Sequence, residues 1–521
     1  MKSRALLAVV VLSTALASGG WLVERGLMGS RPSASDNARM FNQVLGHVSR
    51  DFVDTLPDTA VFRRAAEGLI SELHDPHSSY LSPKVYTSLN ERTTGRYAGI
   101  GAQVDIRDAW PTVMSPIPGG PAIAAGIEAG DRIVAVEDKP MHGMSIEEAQ
   151  KALRGAPGSV VRVTIERAGL AVPLKFALTR NEIRIRSVQH ATMLNDGIGY
   201  VALTIFSEES APDLRRAIDS LRAAGMQTLI FDLRGDPGGL LDQGVGVADL
   251  FLNENQRIVS MHGRTPQSNR TISDNANQPW PNMPLIVLVD SGSASASEIV
   301  AGALQDHDRA LLLGTATYGK GSAQNLFPLS DGGAAKLTTA LWFTPSGRSI
   351  NRRQPSADNS ESDTATGPPP KYKTDAGRTV LGGGGITPDV LLPAATRTAS
   401  DTAFDQALGK QIPLFRDALT DYALSVKASH QITSPNFVVT PAMRADLLKR
   451  MRARGLTMGD STFAASSAIV DRLLGYEIAR YTFGSDAEYA RRIRDDRAIA
   501  RAVEFARGAT TQQQLLDRAK K

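Results

Sequence analysis

The sequence predicts a multidomain α/β protein, and three observations predict it. Gln227–Leu233, Pro284–Val289 and Arg309–Gly314 are near-continuous apolar runs, as long as strands buried on both faces of a parallel sheet. After the second run, apolar residues fall at 299, 300, 303 and 304, which is helix spacing. From about Thr94 to Thr179 the chain changes to short strands and glycine-bearing turns. Both flanks, residues 37–74 and 400–521, return to helical spacing. The expected organisation is an N-terminal helical region at 37–93, a β-rich domain with helices at 94–180, an α/β core at 181–395 and a C-terminal helical region at 396–521.

Composition narrows the function. The 521 residues suffice for three or four domains at ~100–200 residues each. Hydrophobic content of 42% with 21% charged residues is ordinary for a globular protein. The net charge of +4, from 58 basic and 54 acidic residues, is too small to argue for nucleic acid, and no basic tract is interleaved with aromatics. There is no cysteine, which excludes disulfides, thiolate metal sites and a cysteine nucleophile.

The N-terminus points to export. Met1-Lys2-Ser3-Arg4 is a basic lead, followed by Ala5–Leu12 and Ala15-Leu16-Ala17, a secretory-signal pattern with small residues before a cleavage site after Ala17. Gly19–Val23 extends the apolar stretch to about the length that spans a bilayer, so residues 1–23 read equally as an uncleaved anchor. In that case the leading charges stay in the cytoplasm and the body is still exported.

The elements follow in order. Residues 30–36 are a polar linker, and Phe41, Val44, Leu45 and Val48 share one helical face. Tyr97-Ala98-Gly99-Ile100-Gly101-Ala102 precedes a strand in which Val104 and Ile106 alternate with polar residues. A helix is expected at Ser145–Leu153, a strand at Ile198–Leu203 and an amphipathic helix at Ala211–Ala224. Residues 351–377, rich in Pro, Ser, Asp and Thr, read as a mobile insertion. In the C-terminal region, Leu447, Leu448 and Met451 form one cluster and Ile469, Leu473, Leu474 and Ile478 another. Arg491, Arg492, Arg494, Arg497 and Arg501 give a basic helical face that reads as solvated, with an interaction surface as the less favoured alternative, and nothing there declares a role.

Chemistry concentrates after the second apolar run. Ser293, Ser295 and Ser297 sit on a strand-to-helix turn, where unbonded backbone N–H groups and the helix dipole favour an oxyanion. Lys320 follows on a loop between Gly319 and Gly321. A lysine serves as base only when neutral, and lowering its pKa from about 10.4 to about 7 costs roughly 4–5 kcal/mol, within reach of a desolvated pocket. The same residues fit a serine N-cap beside a surface lysine equally well. Gly238-Gly239 after the first run would let a backbone N–H approach a ligand closely, and on local sequence it is also an ordinary turn.

Gly-Ser-Ala-Ser-Ala-Ser-Glu-Ile-Val-Ala-Gly-Ala-Leu-Gln-Asp at 292–306, with Thr317-Tyr318-Gly319-Lys320-Gly321-Ser322-Ala323-Gln324, resembles the carboxy-terminal processing (tail-specific) proteases. The likeness covers most of residues 75–395. It implies a crotonase-like core, Ser295 as nucleophile, Lys320 as base and Gln324 orienting the lysine. It also implies an oxyanion hole of Gly239, with Gly238 as the weaker choice, and Ala296, and no need of a metal or cofactor. Asp75-Pro76-His77-Ser78-Ser79-Tyr80-Leu81 resembles a further family segment, in which His77 is a turn residue. Phe343–Ile350 and Gly382–Val390 resemble family signatures and read as scaffold near the cleft. Residues 94–180, with Pro121–Ile133, resemble a bacterial PDZ domain, in which Gly99, Ile100, Gly101 and Ala102 would present N–H groups to the carboxylate of a peptide tail added as a strand.

The implied function is an exported serine endopeptidase, periplasmic, soluble or tethered to the inner membrane, that cleaves proteins at or near their C-terminal tails. The partners implied are such tails and, beyond them, a homo-oligomer or an adaptor protein. The alternatives are a PDZ scaffold or binding protein with a silent protease core and, less favoured by the PDZ domain, a small-molecule esterase.

Overall fold

The computed structural model describes residues 34–352, 368–393 and 398–520. The apolar segment 1–23 lies outside the described residues, and among the described residues no helix is long and apolar enough to cross a membrane. The chain divides into two units: residues up to Pro83 with Gln324–Thr338, and Lys84–Ala323 with Thr339 onward.

In the first unit, helices Ala34–Asp51 and Asp58–Ser71 precede a short strand, Ser79–Leu81, paired antiparallel with Ala334–Lys336. Of the apolar face expected on the first helix, Leu45 is buried, whereas Phe41, Val44 and Val48 are exposed. His77 lies in a turn made by the Asp75 carboxylate, which accepts the His77 N–H at 3.1 Å and the Ser78 hydroxyl at 2.5 Å.

The apolar runs meet in the second unit as one sheet. Its order is Val188–Met193, Ile198–Leu203, Thr228–Asp232, Leu285–Val289, Leu311–Gly314 and Val390–Leu391; the first pair is antiparallel and the rest are parallel. Alternate residues face opposite ways, and both faces are covered. Val201, Leu229, Phe231, Val287 and Leu312 pack in a core that includes residues of helices Ser210–Ala223, Leu241–Asp249 and Ala296–Asp306. Tyr200, Ile230, Ile286, Leu288 and Leu313 pack with Ile499, Ala502 and Phe505 of helix Arg497–Ala506 and with Leu515 and Leu516 of Gln512–Arg518. The C-terminal helices, mute in the sequence, therefore form the second layer over the core sheet.

The β-rich domain is an antiparallel sheet ordered Ala102–Arg107, Trp110–Pro116, Arg132–Val136, Val160–Glu166 and Leu174–Thr179. Its helix, Ile146–Leu153, starts at a capping box of Ser145 and Glu148. A ribbon of Arg96–Gly99 with Asn181–Arg184 carries the pairing just past residue 180. The helices from Ala399 to Phe483 have a core of their own, which Met114 joins from the β-rich domain. Polar contacts reinforce that seam: Lys427 Nζ donates to Glu128 at 2.6 Å, Arg107 Nε to Thr420 at 3.2 Å, and Arg454 pairs with Asp108.

The expected mobile insertion needs correcting at its C-terminal end. Lys371–Lys373 pairs with Thr379–Leu381, and Asp375 N–H donates to Asp306 O at 2.9 Å, because ladder bonds are made by backbone that polar residues also carry. Residues 353–367 of that segment lie outside the described residues.

Candidate active site

The three serines separate by what their hydroxyls do. Ser293 Oγ donates to Leu233 O at 2.7 Å and Ser297 Oγ to Asp236 O at 2.9 Å, so both pin the serine turn to the neighbouring loop. Ser295 is half-buried, with φ 56° and ψ −112°. A non-glycine residue held there costs about 1–3 kcal/mol, and such strain persists only when the surroundings over-determine it. A sharp strand-to-helix turn of this kind lifts a serine hydroxyl clear of the backbone.

Glu298 supplies much of that constraint. It is fully buried in the first turn of helix Ala296–Asp306. Its Oε2 accepts Ser295 N–H at 2.8 Å and Lys320 N–H at 2.9 Å; its Oε1 accepts Gly319 N–H at 2.7 Å and Thr317 Oγ–H at 2.6 Å. Burial pushes its pKa up, opposed by those four donors. One carboxylate thus fixes both the serine turn and the lysine loop. The sequence signal was available as Ser-x-x-Glu at a helix start. Tyr318 N–H adds a bond to Ser293 O at 3.0 Å. The Gly382–Val390 signature supports the same loop, since Ile386 N–H donates to Thr317 Oγ1 at 2.7 Å. The Phe343–Ile350 signature is scaffold too: Arg348, fully buried, pairs with Asp306 at 2.8 Å.

The glycine pair lies against the serine. Gly238 has φ 87°, and a Cβ there would stand 2.9 Å from Ser295 Cβ and 2.5 Å from Ala294 O. Its N–H is committed to Asp236 Oδ1 at 2.8 Å. Gly238 O accepts Phe206 N–H at 3.1 Å and Leu240 N–H donates to Phe206 O at 2.9 Å, so alternation turns the intervening Gly239 N–H the other way. Among the described residues neither Gly239 N–H nor Ala296 N–H donates to a protein acceptor. Of the two glycines, Gly238 thus has its N–H committed, whereas that of Gly239 donates to no protein acceptor among the described residues. Asp236 is a second residue that sequence reasoning passed over: burial drives its pKa up to about 8, and its Oδ2 has no partner among the described residues.

Gln324 belongs to the other unit, where its Nε2 donates to Thr338 Oγ1 at 3.2 Å. His307 has both ring nitrogens engaged, Nδ1 with Asp375 and Nε2 with Arg257 O, each at 2.7 Å.

In the β-rich domain, Gly99 ends the ribbon, and Ile100 is buried with its carbonyl accepting Ala122 N–H at 2.8 Å. Gly101 has φ 74° and packs against Gly120, while Ala102 opens the edge strand. Ala102–Arg107 pairs with Trp110–Pro116 alone among the described strands, and helix Ile146–Leu153 lies beside it.

The Peptidase family S41 profile matches residues 197–359 and the PDZ domain profile residues 112–167. The chain is 38% identical over 314 residues to a carboxy-terminal-processing protease of Bartonella bacilliformis, covering 60% of this chain and 71% of that one. It is 32% identical over 359 residues to the carboxy-terminal processing protease CtpA of Bacillus subtilis, covering 68% and 76%. A solved photosystem II D1 C-terminal processing protease is 28% identical, covering 69% of this chain and 88% of that one, with a TM-score of 0.38. The chain belongs to peptidase family S41, among its PDZ-bearing carboxy-terminal processing proteases.

Proposed function

We propose that the protein is an exported serine endopeptidase cleaving proteins at or near their C-terminal tails, with Ser295 as nucleophile and Lys320 as general base. The observation that carries this reading is the Glu298 carboxylate, which holds the strained Ser295 turn and the Lys320 loop at once. The neutral Lys320 amine takes the Ser295 Oγ proton as Oγ adds to the scissile carbonyl. Gly239 and Ala296 N–H groups stabilise the resulting oxyanion. The lysine ammonium then protonates the leaving amine, and water, activated by the same amine, releases the acyl group. The part that the resemblance gives Gln324 is tested by Gln324→Ala.

The PDZ domain would recruit the tail. The edge of Ala102–Arg107 offers ladder groups to an added strand, as far as Ile106, whose carbonyl already accepts Arg416 Nη2 at 3.0 Å. Residues 99–102 would receive the terminal carboxylate. The location is the periplasm, soluble or tethered to the inner membrane through residues 1–23.

Ser295→Ala, which removes the nucleophile, and Lys320→Arg, whose guanidinium cannot be deprotonated in proteins, are each expected to abolish peptide cleavage. Ser293→Ala is expected to retain activity. A serine-directed phosphonate should label the wild type at Ser295. A chain that is neither labelled nor able to cleave would be a PDZ binding protein with a silent core, and an active Ser295→Ala would sink the mechanism.

A further inference from the structure

The C-terminal helices reach the candidate oxyanion turn through one chain of polar contacts. Thr228–Asp232 ends in Asp232, and Arg234 stands four residues before Gly238. Arg234 donates to Asp232 through Nε, at 2.9 Å to Oδ1, and through Nη2, at 2.6 Å to Oδ2. Asp232 Oδ1 also accepts Arg234 N–H at 2.9 Å, and Oδ2 accepts the Tyr200 hydroxyl at 2.7 Å. The guanidinium has a third anchor outside the core sheet: Nη1 lies 3.0 Å from Asp496 Oδ2 and 3.2 Å from Oδ1. Asp496 is itself fixed as the N-cap of helix Arg497–Ala506, accepting Ala498 N–H at 2.8 Å and Ile499 N–H at 3.0 Å. Tyr489, from the preceding helix, meets the Tyr200 hydroxyl at 3.0 Å and stacks on His190.

Downstream of Arg234 the turn is tied to the serine turn. Gly235 N–H donates to Asp290 at 2.9 Å, and Asp236 O accepts Ala294 N–H at 3.0 Å. A displacement of Arg234 would therefore move the backbone that presents Gly239. The cap-fixed Asp496 leaves Arg234 few alternative positions, because a forked guanidinium held by two carboxylates has little freedom to reorient.

We propose that Asp496 is a positioning residue of the protease, setting the oxyanion turn through Arg234 so that the C-terminal helices are part of the catalytic apparatus. The proposal rests on the Ser295 and Gly239 reading given above.

The test separates charge from cap. Asp496→Asn and Asp496→Ser remove the carboxylate but keep residue types that cap helices well, so the helix and its packing persist. Asp495→Asn is the control, since Asp495 faces Tyr476 instead. Full-length proteins are compared by melting temperature, by kcat and KM per titrated active site on a tailed peptide, and by the rate of phosphonate labelling, whose tetrahedral adduct places an oxygen at the oxyanion site. Both Asp496 variants are expected to lose about 10- to 100-fold in kcat and in labelling rate, the scale of a modest misplacement at a reacting centre. KM and the melting temperature should stay near wild type, and Asp495→Asn should match wild type. Wild-type kcat in Asp496→Asn would overturn the proposal. So would a loss traced wholly to fewer titratable sites with kcat per site unchanged. Failure of the underlying reading shows differently, as an active Ser295→Ala.

Discussion

The two main sheets of the larger unit bury their strands in opposite styles. Thr228–Asp232 and Leu285–Val289 are buried at every position, with helices over both faces. In the PDZ sheet Val160–Glu166 alternates buried and exposed residues, and the edge strand Ala102–Arg107 is mostly half-buried with one side unpaired. The first arrangement makes the loops at its strand ends rigid, and those loops carry Ser295 and Gly239. The second leaves backbone hydrogen-bonding capacity that another chain could use. The proposed mechanism would draw on the former for its oxyanion donors and strained serine, and on the latter for binding an extended tail.

The sharpest way to break the rigid half is Gly239→Ala. A Cβ there would stand 2.1 Å from Phe206 O, at a φ of 156°. The backbone must shift, and kcat per titrated site is expected to fall by roughly 10²–10³, the scale of losing one oxyanion donor. An Ala variant with wild-type kcat would move the oxyanion site elsewhere.

Asp236 tests the same half by pH. Its folded pKa of about 8 lies above the ~3.9 of an unfolded aspartate, so between these values the folded chain holds a proton that the unfolded chain has released. Its contribution to stability is complete below the unfolded value and is lost as pH rises toward 8. Asp236→Asn keeps an acceptor for Gly238 N–H and has no such dependence. The gap between variant and wild type in urea-unfolding free energy should therefore grow in favour of Asn from pH 5 to pH 9, by on the order of a few kcal/mol. A gap that stays constant would mean that Asp236 is ionised in the fold.

The open half responds more gently. Amidating the C-terminus of a tailed peptide removes the charge that residues 99–102 would bind, and KM is expected to rise about tenfold, ~1.4 kcal/mol, with kcat little changed. Equal KM values for acid and amide would leave the edge strand without a role in reading carboxylates. Gly101 is a poor place to probe this, because its φ of 74° makes any side chain there a distortion of the loop.

The sequence alone determined the elements whose cause is local. Runs of apolar residues at Thr228–Asp232 and Leu285–Val289 had the length of strands buried on both faces, and the apolar spacing from Ile299 marked the helix that follows. The PDZ-like pattern was similarly legible, including the helix at Ser145–Leu153, to which the structure added the capping box. Tertiary structure decided the rest. An apolar stripe on Arg497–Ala506 says that a helix must be covered, without saying by what, and only folding laid it over Ile230, Ile286 and Leu288. Which glycine offers its N–H depended on Asp236 capturing the Gly238 donor and Phe206 pairing beside Gly239. The approach of Asp496 to Arg234, across 262 residues of sequence, left no local trace, because a hydrogen bond between distant segments constrains neither segment's own periodicity.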